Sequence, residues 1–502
     1  MTAVVATSRR LSVIVLLLVA QGWLFAVLLP RTGMRHRVLW LEIATTLTFG
    51  AAVFLLSRAR LTPRVLAALV LGGGLAFQVI AVMTSPVSSD DDFRYVWDAK
   101  VQLSGVDPYQ YPPTAPQLEH LRDGFLFPQR TNCNWPVTGG CSTINRPTVH
   151  TIYPPVAEGA FALIRLASFG GNGNHLPLQL TAALGSIVVA WLLYRRRRAR
   201  DRPLWTVALW AWCPVTVVEF GNNAHIDWLA AMFVVLAMTS SRRSSMSGIF
   251  AGAAIATKLY PVLVLPSLLR RRPVLVGATA LATLVLSYLP HVLVVGTKVI
   301  GYLPGYLRDE RYTSGSRFLL LEPLLPHVAA VAAAVIALAF TAVWTARRTD
   351  PAHPEDSAVV MVGIAMLVTT PAQGWYSGVL LALIGMSGAV EWLPVALAPG
   401  LVYLVDGDFA VSLAAGQLLY AATLVVTLSW LAAARGWSVG RTLDEVHRCA
   451  VRVARRVRPG DRDVVAGVVG GDGARHAGGR IDLGAADRGD HVTGREAGLR
   501  RG

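Results

Sequence analysis

The sequence predicts an all-α, polytopic membrane protein, and three observations lead to this class. Of the 502 residues, 54% are apolar and only 15% are charged, whereas soluble domains carry about 25% charged residues. Apolar runs of roughly 20 residues, the length that a transmembrane helix needs, recur along the chain. Arginines cluster beside these runs, which is typical of the cytoplasmic ends of transmembrane helices.

Seven apolar runs are long enough to predict transmembrane helices. They are residues 11–30, 38–57, 65–84, 176–194, 273–290, 323–345 and 411–433. The arginine clusters at 195–198, 242–243, 270–272 and 347–348 place the N-terminus in the cytoplasm and residue 85 outside. The net charge of +16 is therefore interpreted as membrane topology rather than nucleic-acid binding.

Four regions follow from this topology. Residues 1–84 hold the first three transmembrane helices, and residues 85–175 form a large extracytoplasmic loop with an interfacial helix. Residues 176–434 form a transmembrane bundle with an outer loop at 291–322. Within this bundle, short helix pairs are expected to turn at "GNNAHID" and "TKLYP". Such broken helices are tolerated in a membrane where they line a cavity. Residues 435–502 are basic and rich in Gly and Arg, which predicts a disordered cytoplasmic tail.

Four cysteines give little support to a metal site. Cys133 and Cys141 share the large outer loop, where an oxidising environment would allow a disulfide. Cys213 and Cys449 have no ligand spacing, so zinc is not predicted. No cofactor is expected, although a divalent ion at the acids 90–92 stays open.

Ionisable and aromatic residues mark candidate sites, mostly on the expected outer face. Three acids in a row could simply cap a helix N-terminus, and aromatic residues could form an interfacial belt. A lysine at membrane depth is a functional candidate by default. The candidates are Asp90, Asp91, Asp92, Arg94, Trp97, Asp98, Arg146, His150, Tyr153, His225, Asp227, Lys258, Tyr260, Arg308, Arg311, Arg317, Trp375 and Tyr376.

These residue types suit group transfer from a lipid phosphate. A carboxylate can accept the proton of an acceptor hydroxyl, and cations can stabilise a departing phosphate. Aromatic rings can stack on sugar faces, and a groove within the membrane would hold a polyprenyl chain. A sugar that arrives on a lipid requires no nucleotide-binding domain.

Four motifs in order resemble bacterial GT-C superfamily glycosyltransferases. "SDDDFRYVWDAKVQLSGVDPYQYPP" resembles the first outer loop of that family, and "INRPTVHTIYPP" resembles the element that closes the loop. "GNNAHIDWLA" and "TKLYP" are similar to its later turns. The resemblance implies a GT-C-type bundle of about 11–14 transmembrane helices. It also implies inverting transfer on the outer face from a polyprenyl-phosphate-sugar donor, most often one that carries mannose. The expected acceptor is an envelope glycolipid or glycan, and a protein acceptor stays open.

The resemblance also implies roles for individual residues. Asp91 is the expected general base, with Asp90 as its helper and as the alternative base. Lys258 is expected to hold the donor phosphate together with one or more of Arg308, Arg311 and Arg317. The remaining expected substrate-binding residues are Arg94, Trp97, Asp98, His150, Tyr153, His225, Asp227 and Tyr260.

Two other classes compete with a membrane-bound hexosyltransferase. A transporter or lipid flippase would explain the lysine at membrane depth and the broken helices, but the sequence shows no internal repeat and its loops are long. A scaffold for envelope assembly with a degenerate site would tolerate the loss of Asp91. The enzyme class accounts for the grouped acids, cations and aromatic residues together.

Overall fold

A computed structural model describes residues 2–30, 35–129, 135–138, 140–168, 174–405 and 409–434. Nearly all secondary structure in these residues is helical. The α-helices are α1 (Thr2–Leu28), α2 (Arg35–Ser57), α3 (Pro63–Val82), α4 (Asp91–Leu103), α5 (Pro155–Ala167), α6 (Leu176–Ala199), α7 (Ala208–Ala211), α8 (Asp227–Thr239), α9 (Ser244–Thr257), α10 (Leu265–Leu268), α11 (Pro273–Val295), α12 (Leu303–Asp309), α13 (His327–Arg348), α14 (Pro354–Thr369), α15 (Ser377–Ser387), α16 (Leu393–Val405) and α17 (Phe409–Ala434).

Shorter elements connect these helices. A π-helical segment, Thr216–Asn222, precedes α8, and two three-residue strands, β1 (Trp135–Val137) and β2 (Gly140–Ser142), pair antiparallel. The 3₁₀ turns are Pro116–Leu121, Leu204–Val207, Tyr260–Val264, Gly296–Ile300, Gly374–Tyr376 and Val390–Trp392. The predicted all-α, polytopic class is therefore confirmed.

All seven predicted spans coincide with helices that are long and apolar enough to cross a membrane. These are Arg9–Leu28, Leu39–Ser57, Pro63–Val82, Leu176–Ala199, Pro273–Asp309, His327–Arg348 and Leu413–Ala433, with an eighth if the bent pair Leu204–Ala211 and Thr216–Asn222 counts as one span. The described residues thus give seven or eight candidates, fewer than the 11–14 helices expected. The difference arises because other apolar helices, such as Ser244–Thr257, have only 10–17 residues and fall short of a full span.

The polar segment between α3 and α6 is ordered by its aromatic residues. Tyr95 on α4 stacks on Phe161 of α5, with ring centroids 4.3 Å apart, and Tyr153 meets both rings edge-on. Offset and edge-to-face aromatic pairs contribute about 0.5–1.5 kcal/mol beyond their buried area. This contact fixes α4, and hence the acids at its N-terminus, against α5, the helix at the position predicted for an interfacial one.

A glycine brings a second segment against this loop. Gly301, between α11 and α12, has φ +56, and a Cβ there would collide with the carbonyl oxygen of Thr151. The amide of Tyr302 donates to the same oxygen at 3.3 Å. The linker before α12 therefore closes over residues 151–153 only because residue 301 has no side chain.

Candidate active site

A cavity of about 1110 Å³ lies between the polar segment and the bundle. Asp90, Asp91 and Asn145 line its polar end, while Leu338 and Met366 belong to an apolar part formed by α13 and α14. Pockets for small molecules typically measure about 300–1,000 Å³. The cavity is therefore large enough for a sizeable ligand that has a polar and an apolar part.

Asp91 is the first residue of α4, and its carboxylate is held at the polar end of the cavity. Asn145 Nδ2 donates to Oδ1 at 2.5 Å, and the Tyr153 hydroxyl donates to Oδ2 at 3.0 Å. The Asp91 side chain stays 17% exposed. Its two oxygens are thus oriented by neutral donors, while one edge remains accessible to a ligand.

The two flanking acids occupy different environments. Asp90 lines the cavity, and burial, reinforced by repulsion from Asp91, raises its pKa. Asp92 is fully buried on another face of α4, with Oδ2 3.4 Å from Nδ1 of His175, and burial raises its pKa as well. Successive helical residues point about 100° apart. The triplet therefore presents two acids to the cavity and one to the interior.

The "GNNAHID" turn holds the segment that leads into α4. Asn222 Nδ2 donates to the carbonyl oxygens of Ala81, Thr84 and Ser85 at 3.0–3.1 Å, where α3 ends. Because the last carbonyls of a helix have no partner within it, this amide satisfies the carbonyl of Ala81, while the Thr84 carbonyl also accepts from Gln179 Nε2 at 2.9 Å. The turn is thereby fixed to the end of α3, a few residues before Asp90.

Asn223 continues this contact along the chain. Its Oδ1 accepts from the backbone amides of Val87 and Ser88 at 3.2 and 3.3 Å. Its Nδ2 donates to Ser88 Oγ at 2.6 Å and to Glu219 Oε2 at 3.1 Å. One asparagine therefore fixes both the backbone before the acids and a buried carboxylate behind them.

His225 lies directly behind Asp91 and is fully buried. Its Nε2 is 3.0 Å from Ser89 Oγ and 3.7 Å from Asp91 Oδ2. Its Nδ1 is 3.0 Å from Glu219 Oε2, and its ring stacks on Trp375 with centroids 4.0 Å apart. Sequence reasoning missed Glu219, although an acid within the apolar segment "PVTVVEFG" was a signal that an ionisable group inside the membrane has a function.

Lys258 lies where α9 breaks, as the "TKLYP" motif predicts. Its backbone is extended (φ −150, ψ 141), and its Nζ donates to Oδ2 of Asp227, a fully buried residue, at 2.8 Å. The ammonium also lies 5.5 and 5.7 Å from the ring centroids of Tyr153 and Tyr376. The cavity is thus lined by a cation that one carboxylate partly neutralises and two aromatic faces stabilise. Tyr260 lines the cavity beside it.

Arg94 also lines the cavity but is committed to a buried network. Its Nε contacts both carboxylate oxygens of Asp98 at 3.1 Å, and its Nη2 donates to the carbonyl oxygen of Val149 at 3.2 Å. Burial and the charge of Asp98 raise the pKa of Glu158 behind this pair. Arg94 is therefore placed rigidly, with much of its charge already compensated.

The other predicted residues divide into lining and supporting positions. His150 lines the cavity together with Tyr153, Trp375 and Tyr376. Burial lowers the pKa of the His150 imidazole. Trp97 is only 1% exposed and packs edge-on against Phe127. Four predicted residues are absent from the described lining and support the cavity wall from behind: Trp97, Asp98, His225 and Asp227.

The three loop arginines differ in position. Arg317 lies 3.5 Å from the carboxylate of Glu310 and 3.5 Å from Oε1 of Gln373, and both of these partners line the cavity. Arg308 and Arg311 are exposed, and the described lining does not include them. Arg317 is not part of the described lining either, and it approaches the cavity through its contacts with Glu310 and Gln373.

Two further observations complete the site. Within the described residues, no group of three or more His, Cys, Asp or Glu side chains is arranged to hold a metal ion. Cys141 is disulfide-bonded, while Cys133, its expected partner, lies outside the described residues, as does Cys449.

A comparison with known families agrees with the fold and the cavity. Residues 151–371 match the profile of Glycosyltransferase family 87. A polytopic helical protein with this cavity and this match is a membrane glycosyltransferase of the GT-C class. The match to glycosyltransferase family 87 covers less than half of the chain. No curated protein and no solved structure matches it significantly.

The family match has a defined extent. It includes His225, Asp227, Lys258 and the three loop arginines, and it begins after α4. The acids at 90–92 therefore lie outside it. Sugar donor and acceptor substrates follow from the family.

Proposed function

We propose that the protein transfers a sugar from a polyprenyl-phosphate donor to a hydroxyl of an envelope glycolipid or glycan, with inversion and with Asp91 as general base. Mannose is the first candidate sugar, by resemblance to related enzymes. One observation carries the proposal: the carboxylate of Asp91 is oriented by Asn145 and Tyr153 at the polar end of a cavity that continues into an apolar groove.

The chemical step uses the accessible edge of Asp91. An acceptor hydroxyl bound there would give its proton to the carboxylate while its oxygen attacks C1 of the donor sugar. The bond between C1 and the phosphate oxygen breaks, and its electron pair leaves with the phosphate. A positioned general base contributes about 10²–10⁴-fold to the rate of such a step. Asp90, also in the cavity, is the alternative base.

We propose that the donor phosphate binds near Lys258. Lys258 lines the same cavity as the acids and the apolar residues of α14. Its Nζ lies 5.5 Å from the ring of Tyr153, whose hydroxyl donates to Asp91, so a cation is available near the proposed base. The Tyr306 and Tyr376 hydroxyls, 2.6 Å apart, line the same wall. Fixed cations and hydroxyl donors stabilise charge that develops on a leaving group.

The apolar part of the cavity suits the lipid chain. Leu263 lies beside the break after α9, and Leu338, Val362 and Met366 contribute apolar side chains from α13 and α14. A polyprenyl chain would pass from the bilayer into this part of the cavity at little cost, because lipid tails and these side chains are similarly apolar. The active site belongs on the extracytoplasmic face, since the arginine clusters favour the opposite ends of the helices as cytoplasmic.

The proposal is tested with membranes that contain the protein and a panel of synthetic polyprenyl-phosphate sugars. Label is followed from each sugar into glycolipid and glycan fractions, with nucleotide sugars as the control donors. The expected result is transfer from a lipid-linked sugar and no transfer from nucleotide sugars. Transfer that requires a nucleotide sugar directly would contradict the proposed donor class.

A further inference from the structure

Trp135 occupies the polar end of the cavity, although none of the sequence motifs includes it. It is the first residue of β1, and its side chain lines the cavity together with Asp90 and Asp91. Burial raises the pKa of the Asp90 carboxylate, and the indole of Trp135 lowers that pKa in part. The indole therefore lies beside the acid that precedes the proposed base.

The hairpin that carries Trp135 is attached to the loop before it. Trp135 pairs with Ser142 across the two-stranded ladder. Just after β2, the amide of Thr143 donates to the carbonyl oxygen of Leu126 at 3.0 Å, and the amide of Leu126 donates to Oδ1 of Asp123 at 2.9 Å. The position of the indole is thus fixed by backbone hydrogen bonds that lead to Asp123.

Asp123 in turn connects the hairpin to α4. Its Oδ2 lies 2.7 Å from Nζ of Lys100, a residue of α4. Phe125 packs against Phe93 of the same helix, with ring centroids 5.1 Å apart. Because Asp91 is the first residue of α4, the indole and the proposed base are held by one connected unit.

The indole presents ring carbon rather than a polar atom to the cavity. Its Nε1 is buried and forms no hydrogen bond with a described residue, while the residue as a whole keeps intermediate exposure. A tryptophan that anchors a protein in the membrane interface would direct its N–H to the wet side. Trp135 instead offers an aromatic face next to two carboxylates.

We propose that Trp135 is the platform on which the acceptor sugar stacks, and that it determines the affinity for the acceptor. This inference rests on the proposed function and deepens it. A sugar ring on the indole would bring a hydroxyl to Asp91, because the indole lies beside the neighbouring Asp90. The residues proposed to hold the donor, Lys258 and the apolar side chains, belong to the bundle helices and not to the hairpin.

The platform predicts a loss of acceptor binding when the aromatic face is removed. Trp135→Leu keeps an apolar side chain without a ring, and we expect the acceptor KM to rise about tenfold. The donor KM and the kcat at saturating acceptor should stay within about threefold, the pattern expected when a mutation removes only substrate binding. Trp135→Phe retains an aromatic face, so its acceptor KM should lie within about threefold of the wild type.

The experiment uses the full-length chain and the polyprenyl-phosphate sugars of the panel as donors. Octyl glycosides of several hexoses and a total glycolipid extract serve as acceptor probes. The two KM values, and donor hydrolysis without acceptor, are measured for the wild type, Trp135→Leu, Trp135→Phe and Trp40→Leu. Trp40 is the matched control, since it is 68% exposed on α2 and the described lining does not include it. Hydrolysis should be unchanged in Trp135→Leu, because water needs no platform.

Each outcome supports or overturns the platform. A wild-type acceptor KM in Trp135→Leu would overturn it, as would an acceptor KM in Trp135→Phe as high as in Trp135→Leu. Equal losses of transfer and hydrolysis would indicate a structural role, and a raised donor KM alone would assign the indole to the donor sugar.

Two further results have a defined meaning. Absence of transfer by the wild type from every lipid-linked sugar to either kind of acceptor would overturn the proposed function and the platform with it. If Trp135→Leu gives no monodisperse protein, Trp135→Met decides by the same KM values, because the flexible methionine side chain fills irregular gaps.

Discussion

Lys258 Nζ lies 2.8 Å from Oδ2 of Asp227, and Asp227 is fully buried beneath it. The pair joins the break after α9 to the start of α8, so the cation that lines the cavity is also part of the wall. Removing one partner of such a pair is strongly destabilising, by about 3–5 kcal/mol, because it leaves an uncompensated buried charge. Tests of Lys258 must therefore separate ligand binding from folding.

Lys258→Met alone should lower both thermal stability and donor affinity. The double variant Lys258→Met/Asp227→Asn removes both charges, and we expect it to recover most of the lost stability while the KM for the donor stays raised by about tenfold or more. Thermal unfolding and donor titration of the two variants check this. A double variant with the wild-type donor KM would exclude Lys258 from phosphate binding.

Asn223→Ala should impair catalysis more than binding. The change removes the acceptor of the Val87 and Ser88 amides and the donor to Glu219, so the segment before Asp91 loses its support. Each buried group left unpaired costs about 1–3 kcal/mol, and we expect at least a tenfold lower kcat. The control is Asn174→Ala, which changes an exposed asparagine whose Oδ1 accepts from the Leu176 amide at 2.9 Å. Equal kcat values in both variants would contradict the positioning role.

Gly301→Ala should disrupt the cavity wall, whereas Gly296→Ala should be milder. Both glycines have positive φ, +56 and +62, in a region that other residues rarely populate, so both variants carry a backbone strain of about 1–3 kcal/mol. Only at residue 301 would the new Cβ meet the Thr151 carbonyl, because no described atom lies within 4 Å of the Cβ position at 296. Transfer rates and melting temperatures should therefore fall further in Gly301→Ala. Indistinguishable values would contradict the close contact.

Asp92→Asn should stabilise the protein at neutral pH without loss of transfer. Burial raises the pKa of Asp92 above its usual value, so the folded state binds this proton more tightly than the unfolded chain does. The stability that this proton contributes is present at low pH and is lost as pH rises through the raised pKa. We expect a higher melting temperature at pH 7 and a smaller gain at pH 4. A lower melting temperature at pH 7 would show that the pair with His175 outweighs burial.

The sequence predicted the spans well because hydropathy is a local property. Each of the seven long apolar runs became a helix of sufficient length, and the break at Lys258 followed from "TKLYP". The helix count was less accurate, since short apolar helices such as α9 and α15 cannot be distinguished by composition from halves of longer spans. Whether a short helix lines a cavity depends on packing with elements distant in the chain.

The site was predicted in part, for a similar reason. Asp91, Tyr153 and Lys258 were identified from motifs, and the structure brings them to one cavity. Trp97 belongs to the same motif as Asp91, but the rotation of α4 turns its indole into the core beside Phe127. Glu219 was missed because its contact with His225 requires a π-helical turn, which hydropathy and motif spacing do not indicate.

The most direct test of the account compares three neighbouring acids in one assay. Transfer of labelled sugar from a polyprenyl-phosphate donor is measured for Asp91→Asn, Asp90→Asn and Asp92→Asn at matched protein levels. We expect Asp91→Asn to lose about 10²-fold or more in kcat, while Asp92→Asn, whose side chain is buried away from the cavity, stays within a few-fold of the wild type. An active Asp91→Asn beside an inactive Asp90→Asn would contradict Asp91 as the base and assign that role to Asp90.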